Sequence, residues 1–427
     1  MRILLLGASG FIGREVLAAL GARGHDVVPA VRRTAAAAAF SSRRAMEIDL
    51  NRDVDVATWL PRLAGIDAVV NCAGILQECR GQSIEAIHAG APIALFDACE
   101  RAGVRRVVQV SAISATREAG TAYATTKLAA DDHLRAMALE WTVVRPSLVH
   151  ARGSYGGTSV FRALASLPFA IPIPGGGSQS FQPIWIDDLC KVIVTALETD
   201  RLVRRSIDAV GPQVVTLRKM LEDLRQWLGF QPAPVVQVPM AFARVAAVAG
   251  DHLGATITST ALRQLEHGNT GDYGAFATAT GVEARGWSEA LAAHPAHAQD
   301  RWHARLYLVR PLLRFALSVL WLVSGFTGLA SLREWAPLLA QDAHISLAGA
   351  FLALAAACFL DIGFAILVAR RWKPRTLALL QLAAIGAYTL VATVLWPSLW
   401  AEALAPLAKN LPVAAAVMAL GAIEEER

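Results

Sequence analysis

The sequence has few charged residues for its length. Of its 427 residues only 18% are charged and 55% are hydrophobic, whereas soluble globular chains average about a quarter charged. The shortage is concentrated beyond Phe315, where charges nearly vanish over long intervals. A chain that is soluble throughout does not show this distribution. We therefore predict a soluble domain over residues 1–300 and a membrane domain over residues 301–427.

Cysteine is also scarce, and the start of the chain does not resemble an export signal. The five cysteines are odd in number and form no CxxC pair, which suits a reducing compartment with inert thiols. Arg2 precedes only four apolar residues before Gly7, whereas an export signal needs an apolar region of about 7–15 residues. We expect the first domain to remain in the cytoplasm.

The basic balance of the chain does not indicate nucleic-acid binding. The formal net charge is +5 and the pI about 9.1, but many cations flank apolar runs, as in "RWHARLYLVRPLLR" and "ARRWKPR". Cations at the ends of apolar runs are typical of membrane proteins. Because no stripe of alternating basic and aromatic residues occurs, we expect no nucleic-acid partner.

The chain opens with "MRILLLGASGFIG", which predicts a short buried strand, a tight turn and the start of a helix. Gly7, Gly10 and Gly13 let the backbone approach a pyrophosphate, which the N–H groups at the helix start would bind. An ordinary glycine turn is the alternative. The predicted cofactor contacts in this turn are Gly7, Ser9, Gly10, Phe11, Ile12 and Gly13.

The predicted second strand, "HDVVPAVRR", ends in Arg32 and Arg33. Folds that prefer NAD place an acid near this point to hold the ribose 2′-hydroxyl. Guanidinium groups instead suit a 2′-phosphate, so NADP(H) is the predicted cofactor, preferred over NAD(H). A solvated basic turn is the alternative.

Further strand ends supply the remaining candidate contacts. Asp49, followed by Leu50, comes where adenine could lie. The apolar run "DAVVNCAG" ends in Ala73 and Gly74, and "VRRVVQVSAIS" ends at Ser111. Helical stretches separate these runs. The alternation predicts an α/β Rossmann fold with a doubly wound parallel sheet.

Tyr123 and Lys127 in "TAYATTKLAADDHLRA" stand four residues apart on a predicted helix, so they share one face. A neighbouring ammonium favours the phenolate and should lower the tyrosine pKa. The phenol would then serve as a general acid or base for hydride chemistry at a carbonyl. Ser111 and Ser114 lie just upstream, where such folds bind ligands. Coincidental spacing is the alternative.

In this order, "GASGFIG", "NCAG", the strand-end serine and "YATTK" resemble the short-chain dehydrogenase/reductase superfamily, in its extended and atypical branches. The resemblance implies that Tyr123 is the proton donor, that Lys127 holds the nicotinamide ribose and that a serine orients the carbonyl. Pro146, counted among the cofactor contacts, begins a substrate-lining segment. The serine is assigned to Ser111 rather than Ser114.

One spacing departs from the extended members of this superfamily, because Ser111 precedes Tyr123 by twelve residues instead of some twenty. Similar atypical relatives include the reductase-like subunit of respiratory complex I, whose class often binds NADPH without turnover. The resemblance therefore leaves both an enzyme and a non-catalytic binding protein open.

Three other groups of residues are given structural interpretations. His294, His297 and His303 lack an acid or cysteine to complete a metal site, so no metal is predicted. "PGGGS" is interpreted as a surface turn. Asp187 and Asp188 are interpreted as N-cap residues of a helix rather than catalytic acids.

Four apolar segments follow, at residues 315–332, 345–369, 376–401 and 411–423. The first three reach roughly the 20 residues that span a bilayer, and the fourth is shorter. Cations precede the first segment and join the second to the third, so positive-inside counting predicts four helices with both termini in the cytoplasm. This indicates a multi-pass protein of a bacterial-type cytoplasmic membrane. "LDIGFA", "YTLVATVLWPSLW" and "LAKNLP" resemble DoxX-like membrane domains.

Asp361 lies within the second apolar segment, about 13 Å from its end at Arg370. A carboxylate at this depth should face other helices rather than lipid. The predicted partners are Arg314, Arg310 or Gln381.

The sequence supports two hypotheses. The first is a membrane-tethered NADP(H)-dependent oxidoreductase acting on an oxygen function of a hydrophobic, lipid- or quinone-like substrate. The second is a non-catalytic NADPH-binding sensor or scaffold of a membrane complex, with a membrane protein as partner. Simple reduction and internal redox epimerisation both remain open.

Overall fold

The structure is a computed structural model that describes residues 1–32, 45–78, 81–253, 258–403 and 405–424. It divides into two compact units, Met1–Ala304 and Arg305–Arg427.

The first unit is built on short strands joined mostly by helices. The strands are β1 Arg2–Leu6, β2 Asp26–Val31, β3 Met46–Glu47, β4 Ala68–Asn71, β5 Arg106–Val110, β6 Glu140–Pro146, β7 Val149–His150, β8 Ile171–Pro174, β9 Ser180–Phe181, β10 Ile184–Trp185, β11 Arg205–Ala209, β12 Val215–Thr216 and β13 Val235–Val238. The helices are α1 Phe11–Ala22, α2 Val56–Trp59, α3 Ala91–Ala102, α4 Ala122–Ala136, α5 Gly157–Ala165, α6 Ile186–Glu198, α7 Leu217–Trp227, α8 Met240–Leu253, α9 Ser259–His267, α10 Tyr273–Thr280 and α11 Trp287–Ala293. Single turns of 3₁₀ helix occupy Leu60–Leu63 and Gly175–Gly177, and a π turn precedes α3 at Ala86–Gly90.

Seven strands form one parallel sheet in the order β11-β6-β5-β4-β1-β2-β3. The central strand β1 is apolar throughout because both faces of the sheet are covered. Ile3 and Leu5 pack into a core with α1 and α6, while Leu4 and Leu6 pack into a second core with Trp59 and α3. The predicted doubly wound parallel sheet is confirmed.

The order of the strands reverses between β1 and β4. In such sheets ligands bind outside the carboxyl ends of the strands at this reversal. The residues placed there are the glycine turn after Leu6 and the loop after Asn71. The fold therefore places the predicted cofactor turn at the edge where this class of sheet binds ligands.

The second unit is helical and apolar. Its elements are α12 Ala298–Ala330, which begins in the first unit, α13 Leu332–Asp342, α14 Leu347–Ala369, α15 Pro374–Leu395, a 3₁₀ turn at Pro397–Trp400 and α16 Asn410–Ile423. Among the described residues, α12, α14 and α15 are long and apolar enough to cross a membrane. With its 14 residues, α16 rises about 21 Å. The all-helical membrane unit is confirmed, and the count of four spanning helices is approximate.

Asp361 in α14 is buried, as predicted, with 5% of its surface exposed. Its carboxylate accepts hydrogen bonds from Ser324 Oγ at 2.6 Å and Tyr388 Oη at 3.1 Å. It thus links α12, α14 and α15.

Two of the predicted partners of Asp361, Arg314 and Gln381, are wrong. The third, Arg310, lies over the ring of Tyr307. Arg314 instead donates to the buried Glu424 of the last described turn, and Gln381 Oε1 accepts from Trp321 Nε1 at 2.6 Å. The buried Asp361 carboxylate is satisfied by two uncharged donors on neighbouring helices, so it does not need an arginine. The Arg314 guanidinium, at the middle of α12, pairs with the Glu424 carboxylate instead.

Asp361→Leu should lower the stability of the second unit by about 1–2 kcal/mol, because two interhelical hydrogen bonds are lost. Asp361→Asn keeps an acceptor and should lose less. The measurement is thermal unfolding of the full chain in detergent, with Ser324→Ala as the single-bond comparison. If Asp361→Leu is as stable as the wild type, these hydrogen bonds do not hold the helices together.

Candidate functional site

The turn between β1 and α1 is packed so closely that two of its glycines cannot carry a side chain. Gly7 has φ +72°, and a Cβ there would lie 2.8 Å from the Ala73 amide nitrogen. A Cβ on Gly13 would lie 2.1 Å from the Gly7 carbonyl oxygen. The turn closes through a bond of 2.9 Å from the Gly10 N–H to the same carbonyl. The first amides of α1 are thereby set at the carboxyl edge of the sheet, which suits a phosphate.

The loop after β4 is shaped by two buried amide side chains. Asn71 Nδ2 donates to Gln109 Oε1 of the neighbouring strand at 2.8 Å, while Asn71 Oδ1 accepts from the Ala73 N–H at 3.0 Å. A Cβ on Gly74 would lie 3.3 Å from Lys127 Nζ. The structure therefore brings the predicted contacts Ala73 and Gly74 against both the glycine turn and Lys127.

The predicted contacts for the adenosine half lie on the ends of β2 and β3. Arg32 directly follows β2 and is exposed. Its guanidinium faces the side-chain amide of Gln82. With that amide oriented so that its oxygen points at Arg32, the oxygen accepts hydrogen bonds from the guanidinium. Arg33 lies outside the described residues. Asp49 follows β3, and its carboxylate accepts from the Asn51 N–H at 3.1 Å.

Leu50, the next residue, is buried. Pro146 ends β6, and its carbonyl accepts from the Ile113 N–H at 3.0 Å. These placements assign no role, and the roles of these residues remain predictions.

Lys127 is buried on the face of α4 that meets the sheet. Thr121 caps this helix by accepting from the Ala124 N–H. The Lys127 ammonium donates to the Val110 carbonyl oxygen at 3.2 Å, and burial lowers the pKa of Lys127. A buried ammonium next to Gly74 of the loop after β4 is available to a ribose hydroxyl of a bound dinucleotide.

The phenol of Tyr123 is more weakly acidic than the sequence predicts. Although part of this side chain is exposed, burial raises the pKa of Tyr123 to about 12, and the Asp131 carboxylate raises it further. The predicted lowering by Lys127 is therefore wrong in direction. A phenol in this state keeps its proton at neutral pH and can act as an acid.

Asp131 was missed by the sequence argument, although Tyr123, Lys127 and Asp131 recur at every fourth residue of one helix. Its side chain is fully buried, and it accepts from Ser111 Oγ at 2.5 Å. Burial raises the pKa of Asp131, while Ser111 and Lys127 counteract that rise. The hydroxyl of Ser111 is thus directed at a buried acid, and the choice between Ser111 and Ser114 as the orienting serine stays open.

His88 is a second residue that the sequence argument missed. Its Nε2 accepts from the Ile75 N–H at 3.0 Å, so its proton is on Nδ1, which donates to Thr126 Oγ1 at 3.1 Å. Burial, with Lys127 adding to it, lowers the pKa of His88 to about 3. The ring meets Tyr123 edge-on at 5.3 Å. A neutral His88 therefore ties the loop after β4 to the helix of Tyr123.

The histidine segment has structural contacts. His294 stacks on Trp185 at 4.4 Å, and the His303 ring contacts Ser154 Oγ at 3.3 Å. Within the described ranges, no three histidine, cysteine or acidic side chains come together as metal ligands.

The interpretation of the two aspartates needs a small correction. Asp187 and Asp188 lie in the first turn of α6, whose N-cap is Trp185. Asp188 is buried and accepts from the backbone and guanidinium of Arg285. They stabilise the helix start by charge and by this ion pair.

Two family descriptions match separate parts of the chain. Residues 7–163 match the family described as NAD(P)H-binding, and residues 318–418 match the DoxX-like family. The first match includes the glycine turn, the loop after β4 and the helix of Tyr123.

Similar proteins match a little over half of the chain. A mitochondrial NADH dehydrogenase [ubiquinone] 1 alpha subcomplex subunit 9 of Arabidopsis thaliana is 26% identical over 58% of this chain, and the match spans 63% of that protein, less than two thirds of its length. A ceramide reductase of Caulobacter vibrioides is 24% identical over 54% of this chain and 71% of its own.

Among solved structures, MoeE5 in complex with UDP-glucose and NAD superposes with a TM-score of 0.53 at 21% identity, covering 72% of this chain and all of that one. This likeness shows the fold of the first unit. The chain therefore joins a Rossmann domain that matches an NAD(P)H-binding family over residues 7–163 to a C-terminal region that matches the DoxX-like family over residues 318–418.

Proposed function

We propose that the chain is a membrane-tethered NADP(H)-dependent oxidoreductase that reduces or oxidises an oxygen function on a hydrophobic, lipid- or quinone-like substrate. The observation that carries the proposal is that Tyr123 shares a helix face with the buried Lys127, whose ammonium donates to the Val110 carbonyl and lies next to Gly74 of the loop after β4. The name of the Caulobacter relative, a ceramide reductase, supports a lipid-like substrate. The first unit and both termini are proposed to lie in the cytoplasm of a bacterial-type cell.

The residues at the carboxyl edge fit a dinucleotide. The tight packing at Gly7 and Gly13 sets the first amides of α1 at the carboxyl edge, where they would bind a pyrophosphate. Lys127 would hold the nicotinamide ribose, and Asp49 and Leu50 would lie near adenine. Arg32, with Arg33, would pair with a 2′-phosphate. The cofactor supplies or accepts a hydride when bound.

The protein itself handles the proton. In the reductive direction Tyr123 Oη gives its proton to the oxygen of the substrate carbonyl as that oxygen gains negative charge. The raised pKa of Tyr123 keeps the phenol protonated and ready for this step. His88, wedged between the loop after β4 and Tyr123, positions the phenol without exchanging a proton at neutral pH, since its own pKa is about 3.

A non-catalytic NADPH-binding protein is the second candidate. The observation that favours it is the bond from Ser111 to Asp131, because a hydroxyl directed into the protein does not orient a carbonyl. The plant relative, which is named as a subunit of an NADH dehydrogenase, points the same way and suggests a membrane protein as partner. Tyr123 and Lys127 would then serve cofactor binding alone.

Arg32→Ala should weaken NADPH binding by about tenfold or more and leave NADH binding unchanged, since one charged contact with phosphate is lost. The measurement is a titration of the detergent-solubilised full chain with both cofactors, repeated with Arg33→Ala. Arg105→Ala is the control, because that exposed arginine lies just before β5 at the amino end of the sheet. Equal wild-type affinities for the two cofactors would contradict the preference.

Tyr123→Phe should leave NADPH affinity unchanged and reduce turnover by about 100-fold or more. Lipid-like ketones and quinones are the substrates to screen, and Tyr273→Phe is the control. Because the raised pKa keeps Tyr123 protonated, the wild-type reductive rate should not fall as the pH passes the ordinary tyrosine value of 10.0.

Undiminished turnover of Tyr123→Phe would remove this residue from the mechanism. A wild-type protein that binds NADPH but turns over no compound of the screen would favour the binding protein instead.

A further inference from the structure

Helix α8 presents an apolar face to solvent from Ala241 to Ala249. Phe242 is 70% exposed, Val245 69% and Val248 51%, and three exposed alanines lie among them. At about 100° per residue these six positions occupy an arc of about 160° that contains no charged residue. The exposed apolar face consists of Ala241, Phe242, Val245, Ala246, Val248 and Ala249.

The opposite face of α8 holds the helix on the first unit. Ala247 and Gly250 are buried, and the neighbouring helix α9 packs beside α8. Arg244 pairs with Glu266 of α9 at 3.0 Å, and the Asp251 carboxylate accepts from the Ser259 N–H at 3.0 Å. The orientation of α8 is therefore set by its own packing, one ion pair and one hydrogen bond. The exposure of the apolar face therefore follows from a fixed orientation of the helix and not from loose attachment.

The same two helices lead to the candidate site. From α9, Gln264 Nε2 donates to Thr121 Oγ1 at 3.1 Å, and Thr121 caps the helix that carries Tyr123. The apolar face of α8 is thus connected through α9 to the start of α4, the helix that carries Tyr123.

We propose that this face of α8 inserts into the lipid surface of the membrane that the second unit spans, and that a substrate dissolved in the bilayer passes along it to Tyr123. The route to Tyr123 rests on the proposed function, whereas the insertion does not. Phenylalanine and valine on one side of a helix, with charges at its border, are the chemistry of an interfacial helix.

The connection between the two units favours a lipid bilayer as the partner of the exposed apolar face of α8. The first unit ends at Ala304, and the uncharged part of α12 begins at Phe315, roughly 16 Å further along a helix. The first unit is therefore held at a high effective concentration next to lipid. A second copy or a soluble partner would have to compete with that surface.

The direct test places a photoreactive benzoylphenylalanine at position 242 of the full chain, reconstituted in vesicles of phosphatidylethanolamine and phosphatidylglycerol. The control carries the same group at Val214, an exposed valine outside α8. After illumination, mass spectrometry should find phospholipid adducts at position 242 and none at position 214. Adducts to protein alone, equal labelling at both positions, or no adducts at position 242 would overturn the insertion.

The route is tested with the variant Phe242→Ser/Val245→Ser/Val248→Ser. All three side chains are exposed, so folding and NADPH affinity should be unchanged. The KM for a vesicle-dissolved substrate should rise by about tenfold or more, with kcat retained, since the apolar area that holds the face in lipid is lost. Val214→Ser should change neither constant.

The two proposals fail differently. Lipid adducts at position 242 with an unchanged KM in the triple variant would overturn the route and leave the insertion standing. If the wild type turns over nothing, the proposed function and the route fall together, and the lipid adducts alone decide the insertion.

Discussion

The close approach of two loops at the carboxyl edge of the parallel sheet is the constraint on which the candidate site depends. The turn after β1 and the loop after β4 meet so tightly that Gly7 has no room for a Cβ, and Gly74 adjoins the Lys127 ammonium. Within the turn, Gly13 packs directly on the Gly7 carbonyl. The contact between the two loops sets the first amides of α1, the amide-braced loop and the buried lysine side by side. The rest of the first unit, with its two apolar cores, holds the strand ends that make the contact possible.

Around that contact the protein buries more ionisable groups than a simple nucleotide turn needs. Lys127, Asp131 and His88 are each at most 4% exposed. The neutral histidine is explained by its two hydrogen bonds, while Lys127 and Asp131 favour each other's charged forms against the cost of burial. Buried charges persist only when they are paired or bonded in this way. Burial raises the pKa of Tyr123 and the Asp131 carboxylate raises it further, which suits a proton donor better than a base.

In the described part of the second unit, fewer buried charged side chains have to be satisfied by hydrogen bonds or ion pairs. Asp361 is satisfied by two hydroxyls from neighbouring helices, and Arg314 by the carboxylate of Glu424. Gly325 and Gly328 let α12 approach α14 closely, since a Cβ on either would collide with residue 358 of α14. In lipid, such close backbone contacts and hydrogen bonds replace the hydrophobic effect as the force that joins helices.

The sequence by itself determined the architecture of this protein. Strand–helix alternation, the glycine spacing and the loss of charge beyond Phe315 were enough to predict a doubly wound sheet followed by an apolar helical unit. These features are local or compositional, so they can be recognised from the sequence without any knowledge of tertiary contacts. The spacing of Tyr123 and Lys127 belongs to the same class, because residues four apart on a helix share a face in any fold.

Only the tertiary structure decided which groups face one another. Ser111 meets Asp131, twenty residues away, and Asp361 meets Ser324 and Tyr388 rather than an arginine. The direction of the Tyr123 pKa shift also followed from burial, which the local spacing of a lysine does not reveal. Hydrogen bonds and desolvation depend on distances across the fold. Periodicity predicts which face of a helix a residue occupies, and the packing of other elements determines what that face meets.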